Sequence, residues 1–366
     1  MELLSVGPPG LDSSGYGEMQ RRILLALEDV GWNVTMRPFA SLNALIEDDP
    51  GKYRLDKMRK KPLPPPGSPL LFFGPAVLFY PNPNYYNIGF TMTEFDRISK
   101  EWADKCNSMD EVWVPSRFNF EIFISAGVLP EKIHIMPLGV DTRHFFPPKD
   151  RKDKEKFSFL SSFELIQRKG CDLLIEAFCQ EFCAGEPAEL VIKAFENWGK
   201  YDPSGKTLTE LLHNIQKKYP KAAAISLKKE LILYSEVPSL YQDADCCISA
   251  SRGEGWNLPA MEAMACGIPV IAYNWSGHTE FLNHDNSFLM EIPGLEEIKN
   301  GVPTGARWVK ADTDSLRKMM RYVFENPSEA IQKGEKSREN IAEKYSIENI
   351  ARMITSRIKN RNGAYV

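Results

Sequence analysis

Two short apolar segments enclose the stretch Ser251-Arg-Gly-Glu-Gly-Trp-Asn-Leu-Pro-Ala-Met-Glu-Ala-Met-Ala-Cys-Gly267. The segments 246–251 and 268–273 have the composition of buried strands. Pro259 is suited to the first turn of a helix, where its missing N–H would have no partner in any case. Gly267 is suited to the position just past the end of that helix. The stretch therefore predicts a strand, a loop, a helix and a second strand in succession.

Two glutamates lie eight residues apart in this unit, Glu254 in the predicted loop and Glu262 about one turn inside the predicted helix. Gly253 and Gly255 allow the loop backbone to approach a ligand closely. A helix N-terminus offers unpaired N–H groups and partial positive charge, which favour an anion such as phosphate. Carboxylates accept hydrogen bonds from hydroxyl groups. The unit therefore predicts a site for an anionic ligand with hydroxyl groups, such as a nucleotide sugar.

The composition sets further limits. With 366 residues, 43% of them hydrophobic, the chain is long enough for two domains with their own cores. The net charge of −4 argues against nucleic acid as a partner. The seven cysteines lack zinc-binding spacing, so we expect buried thiols and no metal site. We find no signal-peptide pattern, and the longest apolar run is too short to span a bilayer, so we expect a cytoplasmic protein.

Strand and helix patterns alternate along the whole chain, which is typical of a Rossmann-like α/β fold. The first strand pattern, Leu3–Val6, is followed by a loop containing Gly15 and Gly17 and then by a helix pattern over Glu18–Val30. The alternation starts again at Phe157–Ser161. We predict two facing Rossmann-like domains with a central cleft, over residues 1–148 and 149–344, and a C-terminal helix over 345–366 that crosses back to the first domain. Other strand patterns lie at Trp32–Thr35, Leu70–Phe73, Gly89–Met92, Glu111–Val114, Ile133–Met136, Glu189–Lys193 and Leu231–Leu233.

The segment 52–61 is strongly basic, with Leu55 and Met58 between the charged residues. Such a run is usually a solvated face. The interleaved apolar residues also make it a candidate for weak contact with an anionic membrane surface. We therefore keep a peripheral position at the inner membrane surface as an alternative to a purely cytoplasmic one.

Several motifs together resemble the family-4 retaining glycosyltransferases, which have the two-domain GT-B fold. The strongest is Glu254-x7-Glu262 with the following Ala-Met-Ala-Cys-Gly-Ile-Pro-Val. The resemblance covers nearly the whole chain. The other motifs are Val112-Trp-Val-Pro-Ser116, Pro137-Leu-Gly-Val-Asp141, Arg168-Lys-Gly170, Tyr241-Gln-Asp-Ala-Asp245 and Gly277-His-Thr-Glu280.

The resemblance implies a role for each matched residue. Glu262 would bind the ribose hydroxyls of a nucleoside-diphosphate sugar, and Glu254 would face the donor sugar. Lys169 and Arg168 would neutralise the leaving diphosphate. The catalytic residues would be Glu254 and Lys169, with no cofactor beyond the donor. The other implied donor-binding residues are Gly15, Gly17, Ser162, Gly255, Trp256, Asn257 and Leu258.

The sequence departs from this family in two places. No basic residue precedes Arg168 in the segment Phe163-Glu-Leu-Ile-Gln. Many relatives have a histidine where this chain has Thr93 and Glu94, so either of these residues is a candidate for contact with the sugar. The donor base, the donor sugar and the acceptor stay open, with a glycan, a lipid-linked molecule or a small molecule as acceptor.

Two other functions are compatible with these residues. One is a sugar-nucleotide epimerase on the same scaffold, and the other is a non-catalytic protein that binds nucleotide sugars. The pair Glu254 and Glu262, together with Lys169, favours the glycosyltransferase.

Overall fold

The computed structural model of the protein describes residues 1–8, 14–39, 49–150, 154–195, 207–230, 232–299, 303–310 and 312–361. Within these ranges, two parallel sheets of six strands each form the centres of two α/β halves. The predicted fold class, with two facing Rossmann-like domains, is confirmed.

The first half contains one sheet with the strand order β2-β1-β3-β4-β5-β6. Its helices α1 and α2 precede β2 and β3, and α3 and α4 precede β5 and β6. The bounds are β1 Glu2–Gly7, α1 Gly15–Asp29, β2 Asn33–Pro38, α2 Lys52–Lys60, β3 Pro69–Phe73, β4 Tyr86–Phe90, α3 Lys100–Asn107, β5 Glu111–Val114, α4 Arg117–Ser125 and β6 Ile133–Ile135.

The second half contains a sheet with the order β12-β11-β10-β7-β8-β9 and an antiparallel hairpin formed by β13 and β14. The bounds are β7 Phe157–Glu164, α5 Cys171–Glu181, β8 Ala188–Phe195, α6 Leu208–Lys218, β9 Ala224–Lys228, α7 Val237–Gln242, β10 Cys246–Ser249, α8 Leu258–Ala265, β11 Val270–Tyr273, β12 Phe288–Met290, β13 Leu295–Glu297, β14 Arg307–Val309, α9 Thr313–Glu325, α10 Pro327–Lys344 and α11 Ile347–Arg361.

The predicted strand at 231–233 is wrong. The sixth strand of the second sheet is β9, which ends at Lys228, and Ile232 and Leu233 lie outside any strand. Leu231 lies outside the described residues. Strand β9 is at the edge of the sheet and its residues are half-buried or exposed, so it lacks the continuous apolar run that identifies a buried strand.

Each sheet has a point where the strand order reverses direction, between β1 and β3 in the first and between β7 and β10 in the second. In open parallel sheets, ligands bind outside the carboxyl ends of the strands at such switch points. The loops that follow β1, β3, β7 and β10 are therefore the parts of this fold where a ligand is expected.

Hydrophobic packing also joins the two halves. One apolar cluster contains Leu24 and Leu27 of α1, Met261 of α8 and Ile354 of α11. The indole N–H of Trp32 donates to Thr355 Oγ1 at 2.9 Å, which ties α11 to the first half. The division at residue 148 falls between the two sheets, and we retain these domain bounds as a proposal.

The basic segment 52–61 is mostly the helix α2, and its two apolar residues point inward. Leu55 and Met58 are both fully buried in the core of the first half. Arg54 pairs with Glu28 at 2.6 Å. The apolar residues that suggested a membrane contact are therefore part of the protein interior. Among the described helices, none is both long and apolar enough to cross a bilayer.

Replacing Leu55 with Ala is expected to lower the free energy of unfolding by about 2–5 kcal/mol, because it leaves a cavity in the core. Urea denaturation measures this change. The exposed Lys60, replaced with Ala, is the matched control and should change stability by less than about 0.5 kcal/mol. If Leu55→Ala instead weakened binding to anionic liposomes and left stability unchanged, the inward orientation would be wrong.

Candidate active site

Glu254 and Lys169 lie together at the switch point of the second sheet. Glu254 is in the loop after β10, and Lys169 is in a 3₁₀ turn after β7. The Lys169 Nζ atom donates to both carboxylate oxygens of Glu254, at 2.6 and 2.9 Å. Arg168 donates through Nη1 to Glu254 Oε2 at 3.2 Å and to the Gly253 carbonyl at 2.6 Å. Two cations from one loop therefore hold one carboxylate from the neighbouring loop.

The Glu254 side chain is only 6% exposed, so its charge depends on these partners. Burial alone would raise the pKa of Glu254, but the nearby charges of Lys169 and Arg168 outweigh it and lower that pKa to about 2. Burial also lowers the pKa of Lys169, although Glu254 opposes this effect. Glu254 is therefore an ionised carboxylate throughout the neutral range, suited to accept hydrogen bonds or to stabilise positive charge and not to donate a proton.

The helix α8 begins beside this cluster. Asn257 is its N-cap, with a positive φ of 85°, and its Oδ1 accepts from the Ala260 N–H at 3.3 Å. Pro259 lies in the first turn, and Gly267 has a φ of 72° just past the C-terminus, as the sequence predicts. Glu262 lies about one turn inside the helix. The first turn of α8 thus directs its N–H groups toward the loop that carries Glu254.

Glu262 is held from two sides by residues to which the sequence analysis assigned no role. The guanidinium of Arg22, in α1 of the first half, donates to Glu262 Oε1. The Tyr241 hydroxyl, at the end of α7, donates to Glu262 Oε2 at 2.6 Å. Burial and the neighbouring Glu262 charge raise the pKa of Tyr241 well above its usual value. The carboxylate assigned to ribose is therefore fixed in orientation by one residue from each half of the protein.

A segment of the first half, Met92 to Glu94, packs directly on the Glu254 loop. A Cβ at Gly255 would lie 2.6 Å from Met92 Cγ, and one at Gly253 would lie 2.2 Å from the Glu94 carbonyl oxygen. Asn119 Nδ2 donates to the Gly255 carbonyl at 3.2 Å. Glycine at 253 permits the close approach of the Glu94 backbone, and glycine at 255 leaves room for the Met92 side chain.

The two candidates for sugar contact, Thr93 and Glu94, differ in position. Thr93 is buried, and its Oγ1 accepts from the Phe95 N–H at 3.3 Å. Glu94 is partly exposed, and its carboxylate lies 3.6 Å from Arg168 Nη2. Glu94 is thus the residue whose side chain faces the cluster.

The remaining predicted donor-binding residues lie around the same loops. Gly15 and Gly17 lie in the first turn of α1. Tyr16 separates them in sequence, and its hydroxyl contacts Thr91 Oγ1 and the Met92 carbonyl, both at 3.4 Å. Ser162, at the end of β7, lines a small cavity together with Lys169, Glu254 and Asn257. The Trp256 ring is buried against Phe281 and Tyr345, so only its backbone is available to a ligand.

A resident metal has no obvious place here. In the part of the chain that the structure describes, no group of three or more His, Cys, Asp or Glu side chains could hold a metal ion. Among the described residues, Lys169, Arg168 and the α8 N-terminus bring positive charge to Glu254, and Arg22 brings it to Glu262.

Known proteins match this chain in sequence and fold. The sequence profile of the family described as Glycosyl transferases group 1 matches residues 142–344, more than half of the chain. The MMP alpha-(1->4)-mannosyltransferase of Mycolicibacterium hassiacum is 25% identical over 231 residues, which are 63% of this chain and 49% of that protein. The chain spans about half the length of the curated relatives it matches.

Two solved structures share the fold along their whole length. Sucrose-phosphate synthase from Thermosynechococcus elongatus has a TM-score of 0.70 at 16% identity, covering 100% of both chains. Anabaena HepE, solved in complex with UDP-glucose, has a TM-score of 0.73 at 14% identity, covering 98% of this chain and 100% of that one. At these identities the likeness shows the GT-B fold.

Replacing Glu254 with Gln should destabilise the protein by about 3–5 kcal/mol at pH 7, because two buried cations lose their carboxylate. The pKa of Glu254 is lower in the folded protein than in the unfolded chain. The ionised carboxylate therefore contributes its full stabilisation at pH values above the ordinary carboxyl pKa. That effect should shrink as the pH falls from about 4.5 toward about 2. Denaturation of the wild type and of Glu254→Gln at pH 7, 4 and 3 measures the difference between their free energies of unfolding. A difference that does not change with pH would show that Lys169 and Arg168 do not lower the pKa of Glu254.

The contact between Arg22 and Glu262 can be measured with a double-mutant cycle. Arg22→Ala, Glu262→Ala and the double variant should give a coupling free energy of about 1–3 kcal/mol in urea denaturation. Tyr241→Phe is the comparison within the same site, since it removes one hydrogen bond to the same carboxylate and leaves Arg22 in place. Additive effects of the two alanine substitutions would show that Arg22 does not contact Glu262 in solution.

Proposed function

The chain belongs to the group 1 glycosyl transferases, and on this basis we propose that it moves a sugar from a nucleoside-diphosphate sugar to an acceptor hydroxyl with retention of anomeric configuration. One observation carries the proposal. Lys169, Arg168 and Glu254 meet at the switch point of the second sheet, beside the N-terminus of α8. This is a place where a diphosphate and a sugar would meet cations, N–H groups and a carboxylate together.

In this proposal the diphosphate lies against Lys169, Arg168 and the first turn of α8. Negative charge grows on the diphosphate as its bond to the sugar breaks, so fixed cations and N–H groups stabilise the transition state more than the ground state. Glu254 stays ionised near the anomeric carbon, where positive charge develops. Glu262 accepts hydrogen bonds from the ribose hydroxyls.

A retaining transfer in which the leaving group accepts the proton does not need Glu254 to act as a base. Glu254 has a pKa of about 2, too low for an efficient general base at neutral pH. We propose that the leaving diphosphate accepts the acceptor proton on the same face of the sugar. The charge that a metal would supply comes in this scheme from Lys169 and Arg168, and we expect activity in the presence of EDTA.

The donor enters only if the two halves move apart. The cavity between Ser162, Lys169 and Glu254 measures about 10 Å³, room for a single water molecule. The segment at Met92 covers the Glu254 loop from the other side. We propose an open state that admits the donor and a closed state, like the present structure, that excludes water from the reaction.

The donor base and the acceptor class are identified by testing probes. UDP and UDP-glucose are the first donor probes, because the neighbour HepE was solved with UDP-glucose. A glycan, a lipid-linked molecule and a small molecule are all retained as acceptor classes. Weak contact of 52–61 with anionic lipid would depend on its basic side chains and the exposed Tyr53, and liposome co-sedimentation at low salt tests it.

The proposal predicts binding and turnover together. UDP or GDP should raise the melting temperature of the full chain. The matching sugar nucleotide should release free nucleoside diphosphate when an acceptor is present, and NMR should show that the product keeps the anomeric configuration of the donor. Lys169→Ala should lower kcat by about 100–1000-fold. Lys217→Ala, an exposed lysine of α6, is the control and should leave kcat unchanged.

Each rival function gives a different result in the same experiment. Conversion of the donor sugar to its epimer without an acceptor would support the epimerase, which no feature of the site favours. Tight nucleotide binding with no turnover would support a non-catalytic binding protein. An inverted product would overturn retention while leaving the transferase activity in place.

A further inference from the structure

The hairpin of β13 and β14 belongs to the second half of the protein but lies outside its six-stranded sheet. The two strands pair in antiparallel orientation, from Leu295 opposite Val309 to Glu297 opposite Arg307. A hairpin of only two strands has little stability of its own in water. Its position therefore depends on the neighbouring parts of the protein that it contacts.

The last residues of β14 anchor the hairpin to the loop that carries Glu254. The Val309 N–H donates to the carbonyl of Arg252, two residues before Glu254, at 2.9 Å. The Trp308 ring is buried, and the Arg252 guanidinium lies 5.7 Å from its centroid. Arg252 is itself held by Asp172 at 3.0 Å. Strand β14 is thus fixed to the candidate active site within its own half.

The first residue of β14 crosses the cleft to the first half. The Arg307 N–H donates to Asp96 Oδ1 at 2.7 Å, and Arg307 Nε donates to Asp96 Oδ2 at 2.6 Å. The Asp96 N–H donates to the Arg307 carbonyl at 3.3 Å. Charge-assisted contacts made through several hydrogen bonds fix geometry as well as adding energy. Backbone and side chain of both residues take part here, so the contact sets the position of one half against the other.

A second cation lies near Asp96. The Arg97 Nε atom is 3.6 Å from Asp96 Oδ1, and a Cβ at Gly305 of the hairpin would lie 3.2 Å from Arg97 Nη1. Arg97 belongs to the same half as Asp96 and would stay beside it when the cleft opens. Arg307 belongs to the other half and would lose Asp96. Opening would therefore replace the bonds between Asp96 and Arg307 with bonds to water.

The contact with Asp96 also fixes the segment that carries Glu94. Asp96 follows Glu94 by two residues, and the Glu94 carboxylate lies 3.6 Å from Arg168. The Glu94 carbonyl oxygen packs so closely on Gly253 that an added Cβ would lie 2.2 Å from it. One end of β14 contacts the Glu254 loop, and the other end contacts the Glu94 segment that packs on this loop. A single short strand therefore contacts both sides of the closed cleft.

We propose that β14 is a latch that holds the cleft closed, and that Asp96 and Arg307 are positioning residues that keep Glu94 beside the Glu254 loop. This inference rests on the proposed function, because the latch matters only if a donor must enter between the two halves. Removal of the latch shifts the population toward the open state. A nucleotide then enters faster, and the closed state that excludes water is less populated.

Hydrogen exchange of the full chain without ligand tests the latch, with NMR detection of two amides that bond across the cleft. The Asp96 N–H donates to Arg307, and the Arg117 N–H donates to the Glu280 carboxylate at 2.7 Å. Arg307→Ala should raise the exchange rates of both amides about 10-fold, because both bonds break when the halves separate. Lys100→Ala removes an exposed ion pair within α3 and is the matched control, which should change neither rate.

Asp96→Asn gives a second reading if Arg307→Ala does not fold, since it removes the charge and keeps the size of the side chain. The double variant should exchange no faster than Arg307→Ala, because both substitutions break one contact. Unchanged exchange of both amides in both variants would overturn the inference. Faster exchange at Asp96 with no change at Arg117 would also overturn it, because the hairpin would then detach while the cleft stayed closed. An equal rise at core amides such as Leu160 of β7 would show a loss of overall stability in place of a latch.

UDP and GDP separate this inference from the proposed function. Binding that requires an opening motion is slowed by that motion, so Arg307→Ala should raise the association rate of the nucleotide about 5-fold in stopped-flow tryptophan fluorescence. If neither nucleotide binds the wild type, the donor proposal fails, and the exchange rates still decide whether β14 holds the cleft closed. If a nucleotide binds the wild type, Arg307→Ala and Asp96→Asn at one rate, the donor site stands and the latch is wrong.

Discussion

A buried carboxylate between two cations organises this site. Removing an ionised carboxylate from water costs several kcal/mol, and the attraction of close cations offsets that cost only when the geometry is good. Lys169 contacts both oxygens of Glu254, and Arg168 adds a bond to one of them. These ion pairs therefore hold the loops that follow β7 and β10 against each other. All of the proposed chemistry takes place between these two loops.

The same cluster also relates the two halves of the protein. Arg168 faces Glu94 of the first half as well as Glu254 of the second. The Glu94 backbone at Gly253 and the Met92 side chain at Gly255 come into direct contact with the Glu254 loop. Lys169 and Arg168 belong to the same half as Glu254, so opening of the cleft would leave these ion pairs in place and remove Glu94 from Arg168.

The sequence was sufficient for the parts of the fold that depend on local rules. Pro259 and Gly267 correctly bounded the helix that carries Glu262, because both residues have strong positional preferences in helices. The alternation of strand and helix patterns predicted two parallel sheets. The edge strand β9 was missed, since a half-exposed strand has no apolar run to mark it. Leu55 and Met58, which the sequence analysis considered for a membrane contact, are buried core residues, and their spacing of three residues places them on one face of α2.

The site contacts that the sequence could not give are long-range. Arg22 and Glu262 are 240 residues apart, and nothing in the local sequence of α1 distinguishes Arg22 from the neighbouring Arg21. Arg22 becomes the partner of Glu262 only because α1 packs beside α8 in the folded protein. The same holds for Glu94, whose position depends on how the two halves face each other.

The pairing of Glu262 bears on how the site would receive ribose. A carboxylate has about four lone-pair directions, and Arg22 and Tyr241 use two of them. In the proposed function the remaining directions would accept the ribose hydroxyls. A carboxylate held in this way loses little freedom when a ligand binds, which reduces the cost of binding. Since one of the two orienting groups comes from each half, the ribose site that we propose at Glu262 would be complete only when the cleft is closed.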